Sequence, residues 1–261
     1  MGKKIYTSSP DSWEELKKFT DARIALGHAG AALPTKARLE FQLAHAMARD
    51  AVHAKLNFAL LEERLKFTGL PVLHLHTEAR DRHLYLKRPD LGRRLSEESA
   101  ELLKKHSSSI RNKDIDLCII VGDGLSSFAV ERNVPGFLKE FLASAPKEVQ
   151  FAPIVLAEGA RVALSDEIGE GFRAKIAVML IGERPGLSSP DSLGLYFTYG
   201  PLVGKNDADR NCISNIRPEG LDWKAASEKA WYLINKSFRL QISGVNLKDD
   251  MSLESSNRKM I

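Results

Sequence analysis

An α/β fold is predicted by three features of this 261-residue chain. Three apolar runs of strand length, IDLCIIVG at 115–122, VQFAPIVLA at 149–157 and AKIAVMLIG at 174–182, are continuous instead of alternating, apart from Asp116, Gln150 and Lys175 near their starts. Such runs suit strands buried on both faces, the usual condition in a parallel sheet. The segments between them, LSSFAVERNVPGFLKEFLASA and GARVALSDEIGEGF, read as helices, which supplies the crossovers that parallel strands need. Glycines close the first and third runs, at Gly122 and Gly182. The expected architecture is an N-terminal helical region over 1–110, then a mainly parallel, Rossmann-like sheet flanked by helices over 111–243, then a tail over 244–261.

The first element is expected in WEELKKFTDARIAL, where Trp13, Leu16, Phe19 and Ile24 recur near helical spacing and Ser9, Asp11 or Ser12 stands ready to cap. Gly27 and Gly30 should end it. Pro34-Thr35 opens a longer pattern with Leu39, Leu43, Met47, Ala51 and Val52 on one stripe, extending through Leu56, Leu60 and Leu65 to Gly69-Leu70-Pro71 as one long helix or two joined ones. Its many alanines suit an αα-hairpin against neighbouring helices. Residues 72–94 read as a segment between domains, with a short strand at His74 and His76. A helix over Ser96–Lys105 has Ser96 and Glu98 near capping-box spacing. Beyond the third apolar run, SLGLYFTYG follows a loop too short for a crossover helix, so it is expected antiparallel, at a sheet edge. Asp222–Leu240 forms the last amphipathic helix, burying Trp223, Ala226, Ala230, Leu233 and Phe238. The polar NLKDDMSLESSNRKMI that follows is expected to fray.

Composition narrows the classes of function. The longest apolar run, IAVMLIG, is far short of the ~20 residues that span a bilayer, and MGKKIYTSSP has no signal-peptide character, so a cytoplasmic location is expected and no membrane partner. Tyr6 stands where a myristoylation signal wants Ser or Thr. Cys118 and Cys212 are far apart and read as reduced thiols. The net charge of +4 comes from 38 basic and 34 acidic residues spread along the chain, which does not mark a nucleic-acid partner.

Two corners share the letters GLSS, at 124–127 and 186–189, each after an apolar run. Both belong at the carboxyl ends of strands, where α/β sheets bind ligands. Turn geometry and serine capping explain them equally well. Gly122-x-Gly124 is followed by Ser127 in place of the third glycine of a dinucleotide fingerprint. The P-loop, HExxH and GxSxG patterns are missing, and Asp81-x-His83 fails the DxHxxG pattern at Leu86. His45 and His53 share one helical pattern and read as packing or surface residues. An autonomous nucleotide-binding enzyme using the GDG turn and a structural partner without a ligand are the competing readings from these residues alone.

Longer motifs carry a more specific signal. IGERPGLSSPDSLGLYFTYGPLVGKNDADRNCISNIRPEG at 181–220, TDARIALGHAG, RPDLGRRL at 88–95, VGDGLSSFAV at 121–130, EGARVALSDEIGE at 158–170 and ISGVNLKD at 242–249 together resemble the small subunit of ethanolamine ammonia-lyase. That resemblance implies a partner, the large subunit, a TIM barrel that binds ethanolamine and carries most of the radical chemistry. It implies one cofactor, adenosylcobalamin, which keeps its own benzimidazole on cobalt and so needs no histidine from this chain. Ethanolamine would become acetaldehyde and ammonia, with this chain silent by itself and no catalytic residue of its own. The 1–110 region is then the expected subunit contact, and a bacterial microcompartment in the cytoplasm the expected location. Carried over by motif, the cobalamin contacts fall on Val162 in EGARVAL, Glu183 in IGERPG and Cys212 in DRNCISN, the last in an expected loop.

Overall fold

The computed structural model describes residues 11, 13–20, 22–110 and 114–251. Its centre is a six-stranded sheet in the order β1-β3-β2-β4-β5-β6. The strands are β1 Val72–His76, β2 Leu117–Gly122, β3 Ile154–Glu158, β4 Ile176–Gly182, β5 Leu193–Tyr199 and β6 Asn211–Ile216. β1 through β4 pair in parallel, whereas β5 is antiparallel to both β4 and β6. The sheet is therefore mixed, which corrects the mainly parallel, Rossmann-like expectation. The reason is local: only a short loop joins β4 to β5, and a loop of that length can only turn the chain back.

The three apolar runs behave as their composition demands. Along β2, Leu117, Ile119 and Val121 enter one core while Cys118 and Ile120 enter another. β4 repeats the division, with Ile176, Val178 and Leu180 on the first face and Ala177, Met179 and Ile181 on the second. The first face is covered by α5 (Ser127–Ala143) and α7 (Trp223–Leu240), the second by α4 (Glu97–Ser109) and α6 (Leu164–Phe172). Phe141 on α5 stacks on Trp231 of α7 with centroids 4.6 Å apart, and the indole N–H donates to the Phe141 carbonyl at 2.8 Å. Both needs of a buried Trp, apolar area and a partner for its N–H, are met there.

Several expectations change in detail. β5 runs antiparallel as expected, but it is interior, because β6 pairs beyond it. β6 escaped the sequence reading because NCISNI buries only Ile213 and Ile216 and exposes most of the rest. The expected first helix is only a 3-10 turn, Glu14–Lys18, with no buried residue. Asp11 does accept from the Trp13 N–H at 2.9 Å, while Ser9 and Ser12 lie outside the described residues.

The long helical pattern divides into α1 (Thr35–His53) and α2 (Phe58–Leu65). Ala54 turns extended, and the Asn57 side chain accepts from Leu60 N–H to start α2 afresh. Among the described residues no hairpin buries α1. Leu39, Leu43 and Met47 are 58%, 64% and 47% exposed, so the stripe expected to face a helix faces solvent.

β1 pairs along its whole length with β3, so the sheet draws one strand from before residue 111. A short α3 (Arg82–Lys87) follows it. Ser96 caps α4 through Ser99 N–H, but the third helical position is Ser99, not a carboxylate, so no reciprocal bond forms. Glu98 instead approaches His76. The tail is held where it is described: Leu247 is buried, and Asp249 and Asp250 pair with Lys229 and Lys236 of α7 at 2.5 and 2.6 Å. Residues 252–261, the rest of the stretch expected to fray, lie outside the described residues.

Candidate functional site

β2 has β3 on one side and β4 on the other, and the helices leaving β2 and β3 pack on opposite faces of the sheet. Strand ends at such a switch leave a crevice between diverging helices. The two glycine corners meet beside it. Gly124 has φ +59°, and a Cβ there would lie 2.2 Å from the Gly182 carbonyl oxygen. A Cβ on Gly182 would lie 2.1 Å from the Ser126 carbonyl oxygen. Leu125 N–H donates to Gly182 O at 2.8 Å, and Ser126 Oγ donates to Pro190 O at 2.7 Å. These glycines are required because one corner packs backbone-to-backbone on the other.

Asp123, between the glycines of the first corner, ties three loops together. Its Oδ1 accepts from Gly124 and Ala160 N–H, both at 3.0 Å, and its Oδ2 pairs with Arg82 at 3.2 Å. Burial pushes this carboxyl up to about 6, against the pull of Arg82 and the two amides. Arg82 also donates to Val52 O at 2.7 Å and Gly124 O at 2.7 Å, which joins the end of α1 to the same loops. Tyr85 lies under them, buried, its hydroxyl donating to Ala160 O at 3.0 Å. Burial holds its phenol well above the ordinary value, so it stays neutral.

The resulting cleft, ≈ 400 Å³, is lined by Tyr85, Arg161, Val162, Glu183, Arg184 and Tyr196, among others. It therefore joins Val162 and Glu183, two residues singled out in the sequence. Val162 stands half-buried in the turn between β3 and α6, its carbonyl accepting from the Ser165 hydroxyl at 2.8 Å. Glu183 follows β4 directly, and its carboxylate is largely engaged. It accepts from Ser192 Oγ at 2.5 Å, Ser214 Oγ at 2.6 Å and Asn215 N–H at 3.2 Å. It thus clamps β6 against the ends of β4 and β5.

Cys212 does not line this cleft and is not in a loop. It is exposed on β6, in register with Tyr196 of β5. Tyr196 lines the cleft and pairs with Cys212 across the β5–β6 ladder, so it stands between Cys212 and the cleft. Burial raises the Cys212 thiol above its ordinary value, Tyr196 opposes this, and the Glu183 charge adds to the rise.

Sequence reading missed Tyr85, Arg161, Arg184 and Tyr196. Arg161 and Arg184 adjoin Val162 and Glu183 in the recognised motifs, so adjacency was the available signal. Tyr85 lay in a stretch read as a connector and offered none. Among the described residues no group of three His, Cys, Asp or Glu is placed to hold a metal, and no helix is long and apolar enough to cross a membrane.

Fold and site together define an α/β protein with an open cleft at its strand ends, walled by two arginines and two tyrosines beside a carboxylate already engaged by the protein. Residues 10–248 match the family described as ethanolamine ammonia-lyase light chain (EutC), and the chain belongs to that family. It is 51% identical over 249 residues to the ethanolamine ammonia-lyase small subunit of Pseudomonas aeruginosa (strain LESB58), covering 95% of this chain and 91% of the relative. The small subunit of Pseudomonas putida (strain GB-1) is 53% identical over 251 residues, covering 95% and 92%. That of Pseudomonas fluorescens (strain SBW25) is 52% identical over 248 residues, covering 94% and 89%.

Proposed function

We propose that this chain acts as the small subunit of an ethanolamine ammonia-lyase, a carbon–nitrogen lyase, and completes an adenosylcobalamin site shared with the large subunit. The observation that carries the reading beyond family membership is the strand-end cleft, in which Val162 and Glu183 meet with Cys212 one residue away through Tyr196. When bound, adenosylcobalamin supplies the radical that opens the carbon–nitrogen chemistry. This chain's residues bind, orient and exclude water.

The donor set suits such a ligand. A corrinoid presents neutral amide arms and a single phosphodiester, so it calls for hydrogen-bonding groups on a wide, shallow wall. Val162 offers an apolar contact. Glu183 uses three of the ~4 acceptor positions of a carboxylate internally and keeps capacity for one more donor. Cys212 lies outside the cleft, and its small size leaves room for the Tyr196 opposite it to face the ligand. A cleft open to one side leaves the rest of the cofactor, and ethanolamine, to the large subunit.

The 1–110 region is the proposed contact with that subunit, since α1 exposes Leu39, Leu43 and Met47 along one stripe. Contiguous apolar surface of this kind marks protein contacts. A microcompartment location rests on the family resemblance alone.

Co-expression with the large subunit, followed by corrin absorbance of the purified complex and an ammonia-release assay, tests the proposal. The complex should take up adenosylcobalamin and turn over ethanolamine, and the chain alone should do neither. Turnover by this chain purified free of the large subunit would overturn the shared site.

A further inference from the structure

The strand-end cleft holds two guanidinium groups with no acidic partner. Arg184 makes no hydrogen bond or ion pair among the described residues, and its side chain is exposed at the cleft. Arg161 forms no ion pair either, and its contacts are of another kind. It stacks 4.2 Å from the Tyr85 ring centroid and donates through Nη2 to the Tyr85 carbonyl at 3.2 Å. Its Nε is buried and has no acceptor. Glu183, the one carboxylate among the described residues that line the cleft, is engaged with Ser192, Ser214 and Asn215.

Two unneutralised arginines in one cleft favour an anion, and guanidinium matches the paired oxygens of a phosphate. Tyr85 makes the arrangement rigid. Its ring is buried, its hydroxyl is tied to Ala160, and Arg82 stacks on it at 4.9 Å, so the Arg161 plane is fixed before a ligand arrives. Little ordering cost then remains for Arg161.

We propose that Arg161 and Arg184 form a phosphodiester subsite, which on the function proposed above receives the phosphate of the cobalamin nucleotide tail. Tyr85 is the positioning residue that holds Arg161 in place. The anion is the specificity element: a corrinoid without the phosphate loses these two contacts and keeps the others.

The test measures dissociation constants for three ligands on the complex with the large subunit, read by corrin absorbance and independent of turnover. The ligands are adenosylcobalamin, cobinamide phosphate, which keeps the phosphate but lacks ribose and base, and cobinamide, which lacks all three. Arg161→Gln and Arg184→Gln should each weaken the first two by about tenfold to a hundredfold, the usual worth of a charge-assisted bond, and leave cobinamide within about twofold. Arg161→Lys should recover part of the loss. Arg184 is exposed, so its variant reads the subsite without disturbing the fold. Equal losses for all three ligands, or no loss for any, would overturn the subsite while leaving the shared cobalamin site standing. A loss confined to adenosylcobalamin would also overturn it, by assigning the arginines to the base instead of the phosphate. Failure of the unmodified complex to bind any corrinoid would overturn the proposed function and the subsite with it.

Discussion

Removing the Glu183 side chain should destabilise the protein before it affects any ligand. Glu183→Ala deletes the acceptor of Ser192 Oγ, Ser214 Oγ and Asn215 N–H at once. Hydrogen bonds to a charged group are each worth ~1.5–3 kcal/mol, but Ser214 and Asn215 are exposed and can turn to water. Ser192 is only 6% exposed and would be left with a buried hydroxyl. The net expectation is about 3 kcal/mol, most of it from Ser192. For a chain of this size that corresponds to a fall of roughly 6–12 °C in Tm. Glu183→Gln keeps one carbonyl acceptor and should lose about 1 kcal/mol. The assay is thermal unfolding followed by circular dichroism, with amide exchange at Asn215 as a local readout. Exchange there should accelerate in the alanine variant as β6 loosens at its end. If Glu183→Ala melts within 1 °C of the unmodified protein and Asn215 exchange is unchanged, the clamp is wrong and Glu183 is free to serve the ligand alone.

Asp123 sets a pH dependence whose sign follows from its raised carboxyl. Its folded value of about 6 lies above the ~3.9 of an unfolded Asp, so its contribution is fully present below ~4 and is lost as pH rises towards 6. Denaturation measured from pH 4 to 6.5 should show the unmodified protein losing about 1–3 kcal/mol relative to Asp123→Asn across that window; parallel curves would contradict the burial argument. At Cys212, the raised thiol predicts alkylation by iodoacetamide at pH 7.5 slower than that of a free cysteine, and an equal rate would refute it. Cys212→Ser should preserve corrinoid binding, while Cys212→Trp should weaken it by crowding the strand beside Tyr196; equal tolerance in the titration would place the residue away from the ligand. Leu43→Glu with Met47→Glu on the exposed face of α1 should leave the melting curve unchanged and abolish co-purification with the large subunit. Retained assembly would assign the contact to another surface.

How far the sequence reached is clearest strand by strand. β2, β3 and β4 were legible because each is apolar in consecutive positions, β3 up to its last residue Glu158, and a strand covered on both faces has that pattern. α7 was legible through its periodic Ala226, Ala230 and Leu233, all buried, and the antiparallel sense of β5 through the length of the preceding loop. Family membership was legible in motifs long enough to be specific. β6 was not, because an edge strand that covers the core on one side only needs only Ile213 and Ile216 to be apolar. Nor was the break between α1 and α2, since Leu56, Leu60 and Leu65 continue a helical rhythm across a segment that Asn57 restarts by capping.

The site divides in the same way. The sequence determined that two glycine corners end two strands and that Val162 and Glu183 stand next to them. Only the tertiary structure decided that Gly124 and Gly182 are needed for each other, because their contact joins residues 58 positions apart across paired strands. It also decided that Glu183 spends its carboxylate on β6, and that Tyr85, from a stretch with no readable pattern, supports Arg161. Such facts depend on which strands become neighbours, and strand order is fixed by the packing of helices on the two faces, not by any local preference of the residues concerned.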